Sequence, residues 1–420
     1  MTTALALAVL LGCAMQEPQA PSQPEPRQEQ PEPKPAPGWL RWPPEDAVDR
    51  SEPERGFFPL VGTVVPGSGM SLGGGYRDYG VSGSPFGFEA SALASRFAYQ
   101  AYRVHLGLLR AHRHALDLRP PEAPTSFTVD DRQRSEKGVA VYLDARYRYL
   151  PRARFYGIGP DSQKADRTDY LVKGGAIDLA VQDQLTPALG LAARAGVLDS
   201  RVDEGHDDDW PGTEERFTPD QAPGLLDPPR YLVAGLAAAY DSREETHGGR
   251  TPLEAKRAAA FVSAAAWRYD DTKGDRYDFT RLALDGRAYV AAPGPRAVVA
   301  LRALVSTDLT RDAGEVPVFL LATLGGSRQL RAFGNSRWQD RAIAYGTVEY
   351  RWRVHRFIEV APFLETGTVA RGLSNLDGRH FKTDGGIGLR ARWRDYSLGR
   401  MDVARGSEGW RVVFDVGPVF

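Results

Sequence analysis

From Phe57 to the end of the chain, apolar and polar residues alternate at period two in segments of roughly ten residues, and arginine recurs at the polar positions. Val139, Val141, Leu143, Ala145, Tyr147 and Tyr149 share one face of such a segment, with Ala140, Tyr142, Asp144, Arg146 and Arg148 on the other. Leu189, Leu191, Ala193, Ala195 and Val197 likewise oppose Gly190, Ala192, Arg194 and Gly196. Ile387, Leu389, Ala391 and Trp393 oppose Gly388, Arg390, Arg392 and Arg394. A soluble β-sandwich also alternates, but arginines on the inner face of so many strands are ruinous in a dry core. Strands with an apolar outer face and a charged inner face fit a transmembrane barrel with a wide, wet, charged lumen.

Average hydropathy hides such a fold. The 420 residues are 42% hydrophobic with a mean hydropathy of -0.40, because lipid-facing and lumen-facing positions cancel. No stretch beyond the first dozen residues approaches the length of a membrane-spanning helix. With 53 basic and 54 acidic side chains, no sign bias points to nucleic acid. Counting segments predicts an all-β fold, a transmembrane barrel of about 16 antiparallel strands. They fall near 57–66, 69–79, 86–95, 99–114, 138–150, 170–183, 188–200, 231–242, 257–269, 277–291, 296–309, 341–354, 357–370, 384–394, 397–405 and 410–420. If the first strand rises from the periplasm, 201–229 and 311–340 are outer loops and 293–295 is a tight inner turn. Leu118 to Lys137 is then a long inner connection where short ones are usual.

Cys13, the only cysteine, completes L-L-G-C after the apolar run Ala4 to Leu11, the pattern of a lipoprotein signal whose cysteine is exposed for acylation. An ordinary secretory signal with an incidental cysteine is the other reading. Either predicts an envelope compartment, and no disulfide can form within the chain. Residues 1–12 are thus expected to be a signal peptide. Residues 13–56, dominated by Pro, Glu and Gln, bury too little apolar surface to offset their ordering entropy and are expected to form a periplasmic tether. The barrel is expected over 57–420.

The densest motif runs from Leu324 to Ala370: L-G-G-S-R-Q-L-R-A-F-G-N-S-R-W, then V-E-Y-R-W, then F-L-E-T-G-T-V-A. It resembles the sixth extracellular loop and following strands of the BamA/TamA-type outer-membrane assembly barrels, the bacterial surface antigen family. The resemblance implies an inward-folded loop, whose R-G-F or R-G-Y tip pairs with a strand carrying F-x-D-x-G. It assigns Arg331, Ala332 and Phe333 to the tip and Phe363, Glu365 and Gly367 to the strand. Ala332 replaces the tip glycine, so a tip that needs positive φ or close backbone approach would be strained.

Five further segments resemble the family in its order. V-P-G-S-G-M-S-L-G from Val65 matches the first hairpin, and F-Y-G-I-G-P-D-S with D-R-T-D-Y, Phe155 to Tyr170, the third outer loop. Y-D-S-R-E from Tyr240 matches a turn, and L-G-R-M-D-V-A from Leu398 the penultimate strand. W-R-V-V-F-D-V-G-P-V-F, containing Phe414 and ending at Phe420, resembles the terminal strand that outer-membrane assembly machinery recognises.

Parity places Glu349, Arg351 and Arg353, Glu359 and Glu365, and Arg390 and Arg392 on inward faces of three adjacent strands. They either hydrate a pore and neutralise one another, or receive Arg331, with Glu365 as its bidentate partner. Gly69-Met70-Ser71-Leu72-Gly73 matches G-x-S-x-G, but strand-like flanks without a following helix predict a hairpin rather than a nucleophile elbow. His206-Asp207-Asp208-Asp209 lacks the spacing of a calcium loop, and His112 with His114 lacks a third ligand; no metal or cofactor is expected.

Two functions remain open at this stage. The resemblance implies a non-enzymatic barrel that aids polypeptide insertion or translocation through a seam between its first and last strands. Pro59, Pro66, Gly417 and Pro418 weaken that pairing. The expected partners are outer-membrane lipid, a polypeptide client or periplasmic partner, and the assembly machinery during biogenesis. Residues 13–56 are too short for the family's periplasmic POTRA array, which leaves a narrow channel or structural barrel as the alternative.

Overall fold

The computed structural model describes residues 55–81, 84–109, 139–207, 209–243, 258–292, 296–311, 314–393 and 396–415. The barrel strands begin with β1 (Arg55–Gly62), β2 (Ser71–Asp78), β3 (Gly87–Ser95), β4 (Gln100–Leu108), β5 (Val139–Phe155) and β6 (Thr168–Gln184). They continue with β7 (Leu189–Glu204), β8 (Arg230–Asp241), β9 (Ala258–Asp271), β10 (Phe279–Ala291) and β11 (Ala297–Thr310). A small hairpin, β12 (Ala322–Leu324) with β13 (Trp338–Asp340), lies inside the long loop that follows. The last five are β14 (Ala342–His355), β15 (Ile358–Ala370), β16 (Lys382–Trp393), β17 (Tyr396–Gly406) and β18 (Gly409–Asp415).

Every barrel strand pairs antiparallel with its chain neighbours, giving one 16-stranded sheet curled into a nearly closed barrel. Each strand expected from the alternation is present, with its ends displaced by a few residues. β1 opens at Arg55, inside the segment read as tether, and ends at Gly62, so Pro66 belongs to the connection rather than to the strand. β5 continues past a register shift between Leu150 and Ala153, which absorbs Phe155 and shortens the connection to β6. The β12–β13 hairpin was not legible in the pattern, because three residues per strand are too few to show a period. The segment Leu118 to Lys137, His112, His114 and Cys13 lie outside the described residues, as do Gly417, Pro418 and Phe420.

The outer face is the apolar one. Val139, Leu143, Tyr147, Ile177, Leu179, Leu191, Val197, Ile387 and Leu389 are exposed, while their strand neighbours are turned inward. Phe414 is among the exposed side chains.

The wide, wet lumen expected from the arginines is not what the inner face carries. Among the described residues the charges are buried in matched clusters. Asp144 is contacted by Arg146 at 2.7 Å, Arg194 at 2.9 Å, Arg103 at 3.1 Å and His105 at 3.2 Å, and Arg146 also reaches Asp178 at 2.6 Å. Asp285 takes Arg287 and Arg302, both at 2.9 Å, and Asp308 takes Arg281 at 2.6 Å. Neighbouring strands thus supply a carboxylate for each cationic cluster, and desolvation is offset by charge-assisted bonds.

Toward the loop-bearing end the interior becomes apolar. Tyr269 stacks on Phe279 at 4.3 Å, with Tyr231 edge-on to both, and Val318, Phe319 and Leu320 of the long loop join the same buried cluster. Arg281 donates to the Leu320 carbonyl at 2.5 Å, which ties this filling to the wall.

Candidate functional site

The long loop, residues 311–341, enters between β11 and β14 and carries the R-A-F segment to the inner wall. Arg331 and Phe333 are both 0% exposed. The Arg331 guanidinium lies 2.9 Å from Glu349, 3.2 Å from Glu365 and 3.3 Å from Asp402. Its face sits 3.3 Å from the centroid of the Phe363 ring. Burial works against the cation, but Glu365, Glu349 and Asp402 outweigh it and raise its affinity for the proton.

Strand parity explains why these groups converge. Phe363, Glu365 and Gly367 alternate on the inner face of β15, and Glu349 is the cross-strand partner of Phe363 on β14. Gly367 supplies space: a Cβ there would stand 3.2 Å from the Leu324 side chain of the loop. Glu365 accepts from the backbone N–H of Arg331 at 2.8 Å and from the Tyr345 hydroxyl at 2.5 Å. Asp384, opposite Glu365 on β16, accepts from the Ala332 N–H at 2.5 Å.

The strain expected at Ala332 is absent. The left-handed residue in the tip is Leu330, at φ 45°. Close approach is accommodated by the wall instead, because Gly406 of β17 faces the tip. A Cβ on Gly406 would meet the Phe333 ring at 2.6 Å and the Ala332 Cβ at 3.1 Å.

Of the other inward charges, Arg351 bonds Glu349 at 2.7 Å, and Arg390 spans Glu349 at 2.9 Å and Glu359 at 3.4 Å. Arg353 pairs in register with Glu359, and the Arg392 side chain lies outside the described residues. Sequence reasoning missed Asp384, Asp402, Arg400 and Arg411. Arg411 of β18 donates to the Phe333 carbonyl, to the Arg331 carbonyl at 3.3 Å and to Asn335 Oδ1 at 3.2 Å. Arg400 bonds Asp402, Asp415 at 3.1 Å and the Ser327 carbonyl at 2.5 Å. The missed signal was parity: Asp384 shares its face with Arg390, and Arg400 alternates with Asp402.

Ser71 lies at the start of β2 with its hydroxyl directed to the Gly69 carbonyl, so G-x-S-x-G is part of a hairpin. Asp207 is taken by Arg167 at 2.9 Å, and among the described residues no group of three His, Cys, Asp or Glu could hold a metal ion.

A sixteen-stranded transmembrane β-barrel with a loop folded into its lumen is an outer-membrane architecture. No protein-family model and no curated protein matches the sequence. Among solved structures, BamA from Haemophilus ducreyi lacking POTRA domains 1–3 is similar at 13% identity and a TM-score of 0.59, over 86% of this chain and 69% of that one. The fold is therefore that of the BamA-type outer-membrane barrel. CdiB from Acinetobacter baumannii and CdiB from Escherichia coli are each 10% identical, with TM-scores of 0.46 and 0.48. Their matches cover 86% of this chain but 58% and 62% of theirs.

Proposed function

We propose that this chain is a non-enzymatic outer-membrane barrel that aids insertion or translocation of polypeptides through the seam between β1 and β18, with a partner that delivers the client. One observation carries the reading: among the described residues β1 and β18 are not hydrogen-bonded to each other, and each has a single paired neighbour. Among the described residues they span 8 and 7 residues, against 17 in β5 and β6. Unpaired strand edges offer backbone donors and acceptors that can template an incoming strand. Pro59 removes one donor from β1, and Phe57, Trp410 and Phe414 expose large apolar side chains on the two edge strands.

In this reading Arg331, Phe333, Phe363, Glu365 and Gly367 hold the loop tip inside the lumen. The barrel is thereby closed to solutes along its axis and able to open only at its side. The second reading is a narrow channel or structural barrel without assembly activity, and the buried filling at the loop end favours its structural form.

Closing the seam separates the two. In a Cys13→Ser background, cysteine pairs scanned over residues 57–61 and 411–414 are oxidised and tested in proteoliposomes with an unfolded barrel client. Insertion is expected to fall to background in the oxidised form and recover on reduction. Insertion that persists with the seam covalently shut rejects the lateral route.

A further inference from the structure

Beside the loop tip, an open cleft lies between the β1–β2 connection at Val65, Pro66 and Gly67, the Tyr99 ring, the upper end of β5, and Asn335 with Ser336 of the long loop. Arg152 and Arg154 line it. Neither makes an ion pair among the described residues. Their backbone carbonyls are used, Arg152 accepting from the Tyr99 hydroxyl at 2.8 Å and Arg154 from Gln339 at 2.7 Å. The Arg152 guanidinium lies 5.9 Å from the centroid of the Phe97 ring and within electrostatic reach of Asp169.

Negative charge nearby is outnumbered rather than absent: Asp169 and Asp207 both act on Tyr99, against Arg152, Arg154, Arg167 and Arg411. Asp169, opposite Arg154 in the β5–β6 register, accepts from the Asp207 N–H at 3.1 Å, and Asp207 is taken by Arg167 at 2.9 Å. Arg167 and Arg411 both stand within electrostatic reach of Arg154. Arg411 spends its donors on two carbonyls and the Asn335 amide oxygen, which leaves its positive charge unneutralised by them. That last bond turns the Asn335 amide nitrogen toward Gly67, at the edge of the cleft. Elsewhere in this barrel buried arginines are matched by carboxylates at ion-pair distance; the half-buried Arg152 and Arg154 have none within that distance among the described residues.

We propose that this cleft binds a phosphate-type oxyanion, with Arg152 and Arg154 as its charged donors. A guanidinium fork matches two oxygens of a tetrahedral anion and stays charged at any working pH. The cleft lies at the loop-bearing end, so the anion is either a free phosphate or the phosphorylated headgroup of a lipid beside the barrel. The site is distinct from the Arg331 cluster and does not depend on seam opening.

Binding is measured on the full chain in phosphatidylcholine nanodiscs, by calorimetry with inorganic pyrophosphate and, separately, by capture of vesicles containing diphosphoryl lipid A. Saturable binding is expected. Arg152→Gln and Arg154→Gln should each weaken it by about tenfold, as for loss of one charge-assisted bond. Arg379→Gln, at an exposed Asp377 pair, should leave it unchanged. Binding by wild type should also fall as salt rises, a readout that needs no variant. Pyrophosphate binding without vesicle capture identifies a soluble anion, and vesicle capture without pyrophosphate binding identifies a lipid headgroup; either sustains the proposal. Failure of both probes, salt-insensitive binding, or unchanged affinity in folded Arg152 and Arg154 variants overturns it.

Discussion

Arg331→Ala should convert a barrel with little steady conductance in planar lipid bilayers into one that conducts continuously. The substitution removes the cation shared by Glu349, Glu365 and Asp402, all essentially buried. Breaking a buried pair from one side costs about 3–5 kcal/mol, because the remaining charge is uncompensated. Loss of the guanidinium over Phe363 adds about 2 kcal/mol for a desolvated cation–π contact. Glu349 keeps Arg351 and Arg390 and Asp402 keeps Arg400, but Glu365 is left with the neutral Arg331 N–H and Tyr345 hydroxyl as donors. Arg331→Lys should fall between, since a point charge cannot satisfy several oxygens as a planar fork does. Glu365→Ala should act in the same direction by releasing the Arg331 N–H, the guanidinium and Tyr345 together. Currents identical to wild type in both alanine variants would sink the idea that the tip is held by charge.

Gly406→Val tests the same seat without touching a charge. The added Cβ alone would stand 2.6 and 2.8 Å from Phe333 ring carbons. That ring cannot retreat easily, because it is packed edge-on against Trp338 at 4.9 Å. Overpacking of this kind costs about 1–3 kcal/mol. The tip should therefore lift, and protease should cut the long loop at least several-fold faster, with raised conductance. Gly406→Ala should give a smaller effect that Ala332→Gly partly reverses, since those two Cβ positions oppose each other at 3.1 Å. A double-mutant cycle on the cutting rates measures that coupling. Additive effects would mean that the two positions do not share the space.

The barrel was legible because its signal is repeated. Sixteen strands each carry the two-residue period, so an error at one end of one strand leaves the count intact. The dryness of the interior was not legible, because parity states which face an arginine takes but not whether a carboxylate from the neighbouring strand arrives opposite it. Asp144 and Asp285 each gather arginines from more than one strand, a fact of register. The surroundings of Arg331 divide in the same way. Phe363, Glu365 and Gly367 followed from a motif and Glu349 from alternation on the adjacent strand. Asp384 and Asp402 lie outside the motif on β16 and β17, and they reach the tip only through the register of β15, β16 and β17. Ala332 was misread because a lost glycine was weighed on the loop alone. The space it gave up is supplied by Gly406, a residue no local pattern connects to it.

Asn335 gives the long loop a bearing at both ends of the sheet. Arg411, on the last strand, holds its amide oxygen, and Gly67, in the connection leaving the first strand, lies so close that a Cβ there would overlap the amide nitrogen. The plug and the side wall are therefore parts of one equilibrium. If the seam opens as proposed, parting β18 from β1 would strain the contacts that Asn335 makes with Arg411 and beside Gly67, and by reciprocity a freed tip would make the edges easier to part. A client strand added at the edge would report its presence to the lumen without ever entering it.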